Sequence, residues 1–239
     1  MPGKIYMIPV TLGGSKYSEV IPDFVASITR KLRVFIVEDL RSARRFLKTL
    51  DKEFPINECS FLEMNEHTPD RQISEFLEPL LEGNDAGIMS EAGMPGIADP
   101  GAKLIALAHL KNIKVVPLVG PSSIILALAA SGLNGQNFSF NGYLPVNQTE
   151  RAIKIKELER RSASGFSQIF METPYRNQKL LEAIVQICNN HTMLCIAADL
   201  TLPSEEIRTL PISEWKKNMP DLTKRPVIFI LQQNVRDSF

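Results

Sequence analysis

Apolar and polar positions change period repeatedly along this chain. Lys4–Val10 (KIYMIPV), Arg33–Val37, Asn57–Met64, Asp85–Met89 and Lys114–Val119 are short runs rich in β-branched, aromatic and aliphatic residues, which predicts strands. The segments between them carry apolar residues three and four apart. Val20–Leu32 puts Ile21, Phe24, Val25 and Ile28 on one helical face. Ser42–Leu50 does the same with Phe46, Leu47 and Leu50. Pro69–Leu81 reads as a helix with Thr68 as N-cap, and Ala102–Leu110 as another. Five strands alternating with helices predict a parallel α/β sheet, because short connections and right-handed crossovers leave few other arrangements.

The period changes after Gly120-Pro121. Ser122–Ser131 is a helix of small residues, and its apolar stretch Ile124–Ala130 predicts burial. Asn137–Tyr143, Gln168–Glu172, Met193–Ala198 and Val227–Leu231 read as strands, with helices over Glu150–Arg161 and Gln178–Cys188. The expected fold is therefore α/β with two α/β domains, 1–119 and 120–239. The first carries a mostly parallel sheet and the second a mixed one.

Three Gly/Pro-rich segments directly follow strands: Pro9–Gly14, Glu91–Gly101 and Gly120-Pro121. In a parallel sheet they share one edge, beyond the carboxyl ends of the strands, where ligands of such folds bind. The segment Ser90–Gly101 (SEAGMPGIADPG) is the densest. Gly93, Gly96 and Gly101 permit positive φ or close approach of a ligand, Pro95 and Pro100 stiffen the loop, and Asp99 is placed to cap a helix with Pro100 at its first position. Alone, the segment is either a rigid strand-to-helix turn or the wall of a pocket. Ile8–Gly14 (IPVTLGG) lacks both the G-x-G-x-x-G fingerprint and the GK[ST] of a P-loop.

Composition narrows the classes. Lys+Arg and Asp+Glu both number 27, so bulk positive charge does not drive binding, though a local basic patch is still possible. The N-terminus has no apolar core of a secretory signal, and no apolar run approaches a membrane span. A cytoplasmic protein without a membrane partner is expected. Cys59, Cys188 and Cys195 lie in apolar contexts without metal spacing, which predicts reduced core thiols. His67, His109 and His191 form no motif, and no metal site is expected.

The segments VEDLR (37–41), SEAGMPGIADPG (90–101), VVPLVGPSSIILALAASGL (115–133), FNGYLP (140–145) and FMETPYR (170–176) together resemble the tetrapyrrole methylase superfamily, the class III S-adenosylmethionine-dependent methyltransferases. Within it they look most like the branch that 2′-O-methylates a cytidine of 16S ribosomal RNA. The resemblance spans nearly the whole chain, in order. It implies two α/β domains with S-adenosylmethionine folded into the cleft, usually in a homodimer, and ribosomal RNA or the small ribosomal subunit as partner. By position it implies that Leu12, Gly93, Met94, Ile97, Ser123, Ile124, Met171 and Pro226 line the cofactor pocket. Adenine and ribose call for apolar walls and backbone hydrogen bonds rather than side-chain charge.

Methyl transfer from a sulfonium mainly requires in-line placement of the acceptor, and a ribose hydroxyl also needs help in losing its proton. Glu38, Asp39, Arg41, Glu172 and Arg176, with Asp199, are the candidates that the resemblance places at the cleft; none is singled out as the base. Glu38 and Asp39 also fit helix capping, and Arg176 a surface ion pair. Two basic groups, Arg41/Arg44/Arg45/Lys48 and Lys154/Lys156/Arg160/Arg161, are either phosphate contacts or solvated helix faces. The chain departs from the branch pattern at PVTLGG in place of PTPIGN, at DLTL (199–202) in place of ELTK, and at KRP (224–226) in place of KGE. These departures leave two alternatives open: an acceptor that is a tetrapyrrole or other small molecule, and a protein that holds S-adenosylmethionine without turnover.

Overall fold

The computed structural model describes residues 1–14 and 16–233, which form two compact units, Met1–Ser122 and Ser123 onward. In the first, β1 (Lys4–Met7), α1 (Asp23–Thr29), β2 (Val34–Val37), α2 (Leu40–Leu50), β3 (Ser60–Glu63), α3 (Asp70–Ile73), α4 (Glu78–Leu81), β4 (Ala86–Met89), α5 (Gly101–Leu110) and β5 (Lys114–Pro117) follow one another. The sheet is wholly parallel, in the order β3-β2-β4-β1-β5. Its strands carry apolar residues on both sides, so each face buries its own core. Phe35 and Val37 pack with Val25, Phe46 and Leu47 of α1 and α2. Ile5, Ile36 and Ile88 pack with Phe76, Leu80, Leu104 and Ala108 from the α3–α5 side.

The helices differ from the sequence pattern where proline intervenes. The helix expected over Val20–Leu32 starts only at Asp23, because Pro22 sits extended at its N-cap (φ −60°, ψ 145°). Ile21 and Val25 are buried as expected, but Phe24 is 70% exposed. The helix expected over Pro69–Leu81 is broken into α3, a 3₁₀ turn over Glu75–Leu77, and α4. Pro79 has no N–H to give to the carbonyl four residues earlier and its ring crowds it, so one continuous helix cannot form. Thr68 does not cap α3; its hydroxyl accepts the Asn65 N–H at 3.0 Å. Helix α5 begins at Gly101, with Pro100 before it rather than at its first position.

The second unit runs α6 (Ser123–Ser131), β6 (Phe138–Tyr143), α7 (Gln148–Ser162), β7 (Ser167–Met171), α8 (Asn177–Ile187), β8 (Met193–Ala198), β9 (Glu206–Pro211), α9 (Ile212–Lys217) and β10 (Val227–Gln232). Its sheet is mixed, in the order β6-β7-β10-β8-β9, with β6 and β7 parallel and the remaining pairs antiparallel. The sequence pattern does not reveal β9 or α9. Strand β9 is an edge strand with a polar outer side (Glu206, Arg208), and α9 is barely two turns long. What anchors α9 is Trp215, buried, with its Nε1 donating to the Leu194 carbonyl at 3.0 Å. The expected burial of Ile124–Ala130 holds for one side only. Ile124, Ala127 and Leu128 are buried, whereas Ile125 and Leu126 are exposed. Cys188 and Cys195 are buried free thiols, and burial pushes both thiol pKa values up, that of Cys195 to about 11. No described helix is long and apolar enough to cross a membrane.

Candidate functional site

In the first unit, β1 passes the chain to the α1–α2 side of the sheet, while its neighbour β4 passes it to the α5 side. Loops that part from adjacent parallel strands toward opposite faces leave a crevice at the carboxyl edge. The two loops are joined across it: Val10 N–H donates to the Gly93 carbonyl at 2.9 Å, as a single antiparallel bridge. Gly93 has φ +73°, and a Cβ there would stand 3.1 Å from Leu12 Cδ2 and 3.4 Å from the Pro121 carbonyl. The positive φ favours glycine here, and a Cβ would also require the Leu12 side chain to shift slightly. All three Gly/Pro segments singled out in the sequence therefore converge: the loop after β1 through Leu12, the loop after β4 through Gly93, and the segment after β5 through Pro121.

Asp99 makes the β4 loop rigid. Its Oδ2 accepts the Gly96 N–H and its Oδ1 the Gly101 N–H, both at 2.7 Å. Burial pushes its carboxyl pKa up, against the lowering effect of those two bonds. Met94 is half-buried in this loop and Ile97 is half exposed.

The residues after β2 divide by role. Asp39 is the N-cap of α2, its Oδ1 accepting the Ser42 N–H at 2.6 Å. That bond, then the Ser42 hydroxyl and the nearby Arg41 and Arg45, holds its pKa below the usual value. Glu38 instead reaches across to the β4 loop, where its Oε2 accepts the Glu91 N–H at 3.1 Å. Burial raises the Glu38 pKa, the Glu91 N–H opposes this, and Asp99, Glu91 and Glu66 add to the rise. Arg41 is exposed on α2.

Beside these loops lies a cleft of about 480 Å³, between Val10–Gly14, Ser90–Ala92 and the Ser42/Arg45/Phe46/Thr49 face of α2. Its volume lies in the range of small-ligand pockets. Arg45 belongs to one of the basic groups seen in the sequence, but nothing in the sequence separates it from Arg44. The fold does: the Arg44 guanidinium lies over the Phe61 ring, 5.2 Å from its centroid, while Arg45 faces the cleft.

In the second unit, three segments meet at one edge of the sheet. Met171 ends β7, and Glu172 follows it, buried, with its Oε1 2.6 Å from Arg176 Nη2 and 2.7 Å from the Thr173 N–H. Glu172 Oε2, Arg176 Nε and Asn177 Oδ1 are buried without a hydrogen-bond partner among the described residues. Asp199 follows β8 with φ +53°, and its N–H donates to the Pro226 carbonyl at 3.0 Å. Arg225 Nε pairs with Asp199 Oδ2 at 2.8 Å and its Nη2 donates to the Ser204 carbonyl at 3.0 Å. The DLTL and KRP segments are thus partners, joined by an arginine that sequence reasoning passed over between Lys224 and Pro226. Ser123 opens α6, where Ile124 is buried. Of the second basic group, Lys154 and Arg161 both pair with Glu157.

The sequence profile of the family described as Tetrapyrrole (Corrin/Porphyrin) Methylases matches residues 19–216. A Vibrio cholerae protein named ribosomal RNA small subunit methyltransferase I is 30% identical over 98% of this chain and 78% of its own length. Its Escherichia coli O157:H7 namesake is 31% identical over 96% and 78%. Among solved structures, the methyltransferase CobJ superposes with a TM-score of 0.64 at 16% identity, over 97% of this chain and 94% of its own. The uroporphyrin-III-C-methyltransferase of Thermus thermophilus gives 0.57 at 16% identity, over 98% and 93%. The structural likeness speaks for the fold, and the matched profile runs from before α1 through β9 into α9 and includes the glycine loop after β4, so the chain belongs to the tetrapyrrole (corrin/porphyrin) methylase family.

Proposed function

We propose that this protein is an S-adenosylmethionine-dependent methyltransferase that methylates a ribose 2′-hydroxyl of small-subunit ribosomal RNA. The observation that carries the acceptor is the similarity, over nearly the whole chain, to proteins named ribosomal RNA small subunit methyltransferase I. The donor reading has a structural support of its own: the bare backbone at Gly93, where a side chain would press on Leu12 and the Pro121 carbonyl. S-adenosylmethionine, when bound, supplies an electrophilic methyl group on a sulfonium.

The chain's residues then have the following parts. Leu12, Gly93, Met94 and Ile97 give the donor apolar contact and backbone groups. For Ser123, Ile124, Met171 and Pro226 the same role rests on the family resemblance. Glu38 is the candidate for receiving the hydroxyl proton in the first unit, since a carboxylate with a raised pKa is the better proton acceptor there, and Asp39 is committed to capping α2. Arg41 is the candidate for contact with the acceptor's phosphate. Glu172 and Arg176 hold one another in the second unit and order the turn after β7. On the same reading the enzyme works in the cytoplasm as a homodimer, which equilibrium sedimentation tests.

Two measurements separate this reading from its rivals. Calorimetry with S-adenosylmethionine is expected to show one site per chain; no heat of binding removes every donor-based reading. Labelled methyl transfer is then expected to small ribosomal subunits from a strain lacking the enzyme. Transfer only to uroporphyrinogen-type substrates assigns a tetrapyrrole acceptor. Binding without any transfer leaves a donor-binding protein.

A further inference from the structure

We infer that the cleft between the loop after β1 and helix α2 seats a phosphodiester of the RNA acceptor, with Arg45 as its cation. The inference rests on the RNA reading above and adds a location to it.

The walls of this cleft are suited to an anion on one side. Arg45 faces it from α2, exposed; its guanidinium makes no hydrogen bond or close ion pair with a described residue, although Asp39 is near enough to feel its charge. Opposite lies the loop Thr11–Gly14. The N–H groups of these residues donate to no described acceptor, and Gly13 and Gly14 adopt φ of +142° and +77°. An exposed guanidinium and a run of backbone N–H groups with no described acceptor, all lining one cleft, form a donor set suited to phosphate oxygens. Arg41 and Lys48, on the same helix, extend the positive field along a strand of phosphates.

The rest of the lining suits a nucleotide rather than a bare anion. Glu91 stands at the cleft with its backbone N–H already held by Glu38. Its carboxylate opposes any phosphate, but it accepts hydrogen bonds from ribose hydroxyls, which a bare anion lacks. Thr49 has its hydroxyl engaged with the Arg45 carbonyl at 2.9 Å, which fixes the turn of α2 that carries Arg45. The volume of about 480 Å³ accommodates one ribose–phosphate unit. Leu12 is common to this cleft and to the proposed donor wall, so a phosphate seated here would adjoin that wall.

The test is fluorescence anisotropy with a labelled single-stranded oligoribonucleotide, on the whole chain, across a salt series. Arg45→Gln is expected to weaken binding about tenfold at low salt and to flatten the log–log salt slope by about 0.7, the share of one phosphate contact. Arg45→Lys is expected to restore the slope. Arg44→Gln removes the same charge from the same helix but on the Phe61 side, and is expected to change affinity less than about twofold. Equal losses in the Gln variants at 44 and 45 mean bulk charge and overturn the seat. Inorganic phosphate distinguishes a free-anion site: if Arg45→Gln lowers its affinity and leaves that of RNA unchanged, the RNA assignment is wrong. A loss of S-adenosylmethionine affinity in Arg45→Gln gives the cleft to the donor's carboxylate and likewise overturns the proposal. The two readings fail separately. Methyl transfer to ribosomal RNA with a wild-type KM in Arg45→Gln sinks the seat and spares the function. Arg45-dependent RNA binding in a wild-type protein that transfers no methyl group sinks the function and spares the seat.

Discussion

Two adjacent carboxylates, Glu38 and Asp39, show how position along the chain sets chemistry. Asp39 spends its charge on the first turn of α2, and its pKa is lowered by the Ser42 N–H. Its stabilising effect is therefore present above the ordinary value of 3.8 and is lost as pH falls through the folded value. Asp39→Ala should cost about 1 kcal/mol at pH 7 by urea unfolding, and the difference from wild type should shrink in strong acid. Glu38 behaves oppositely. Its folded pKa is raised, so its contribution is complete below the ordinary 4.5 and is lost as pH rises through the folded value. Glu38→Gln keeps an acceptor for the Glu91 N–H and removes the titration. The wild-type Tm should thus fall relative to that of Glu38→Gln as pH rises above 4.5, and parallel curves would contradict the assigned environment. The capping role of Asp39 was legible from its place before a periodic segment. The hold of Glu38 on Glu91 was not, because the two are 53 residues apart and only the pairing of β2 with β4 brings them together.

Among the elements, the loop after β4 is the most constrained and was the most legible. Its glycines announced special backbone, and the structure supplies the reason at Gly93: positive φ and close neighbours on two sides. Gly93→Val should abolish S-adenosylmethionine binding in calorimetry. The single Trp215, buried in the second unit, should keep its emission spectrum, which reports that this unit stays folded. Donor affinity unchanged in Gly93→Val would take the loop out of the pocket. What the sequence hid were elements defined by partners rather than by period. The polar-sided edge strand β9 and the short α9 have weak patterns, and Pro79 divides a segment whose apolar spacing looks continuous. The Arg225–Asp199 pair belongs here too, since it joins the turn after β8 to the start of β10. Arg225→Met leaves Asp199, only 8% exposed at its side chain, without its cation, and should destabilise the second unit by about 1–3 kcal/mol. Urea unfolding followed by Trp215 measures it; an unchanged midpoint would show that the pair contributes nothing net.

For the whole molecule, alternation of strands and helices identifies a parallel sheet, and a parallel sheet fixes the edge at which its loops gather. The edge is therefore legible from periodicity alone, while S-adenosylmethionine as its ligand comes only from the family resemblance. The acceptor half lies beyond periodicity, because the proposed phosphate seat draws on groups dispersed over several elements, Arg45 on α2 and the N–H groups of Thr11–Gly14. The proposed reaction joins the two halves, and one experiment reads both at once. Unmodified small ribosomal subunits are incubated with the protein and methyl-labelled S-adenosylmethionine, and the RNA is then hydrolysed in alkali. Label is expected in an alkali-resistant dinucleotide, since a 2′-O-methyl group blocks cleavage at that one position. Label released entirely as mononucleotides, or none in the RNA while the protein binds the donor, would contradict it.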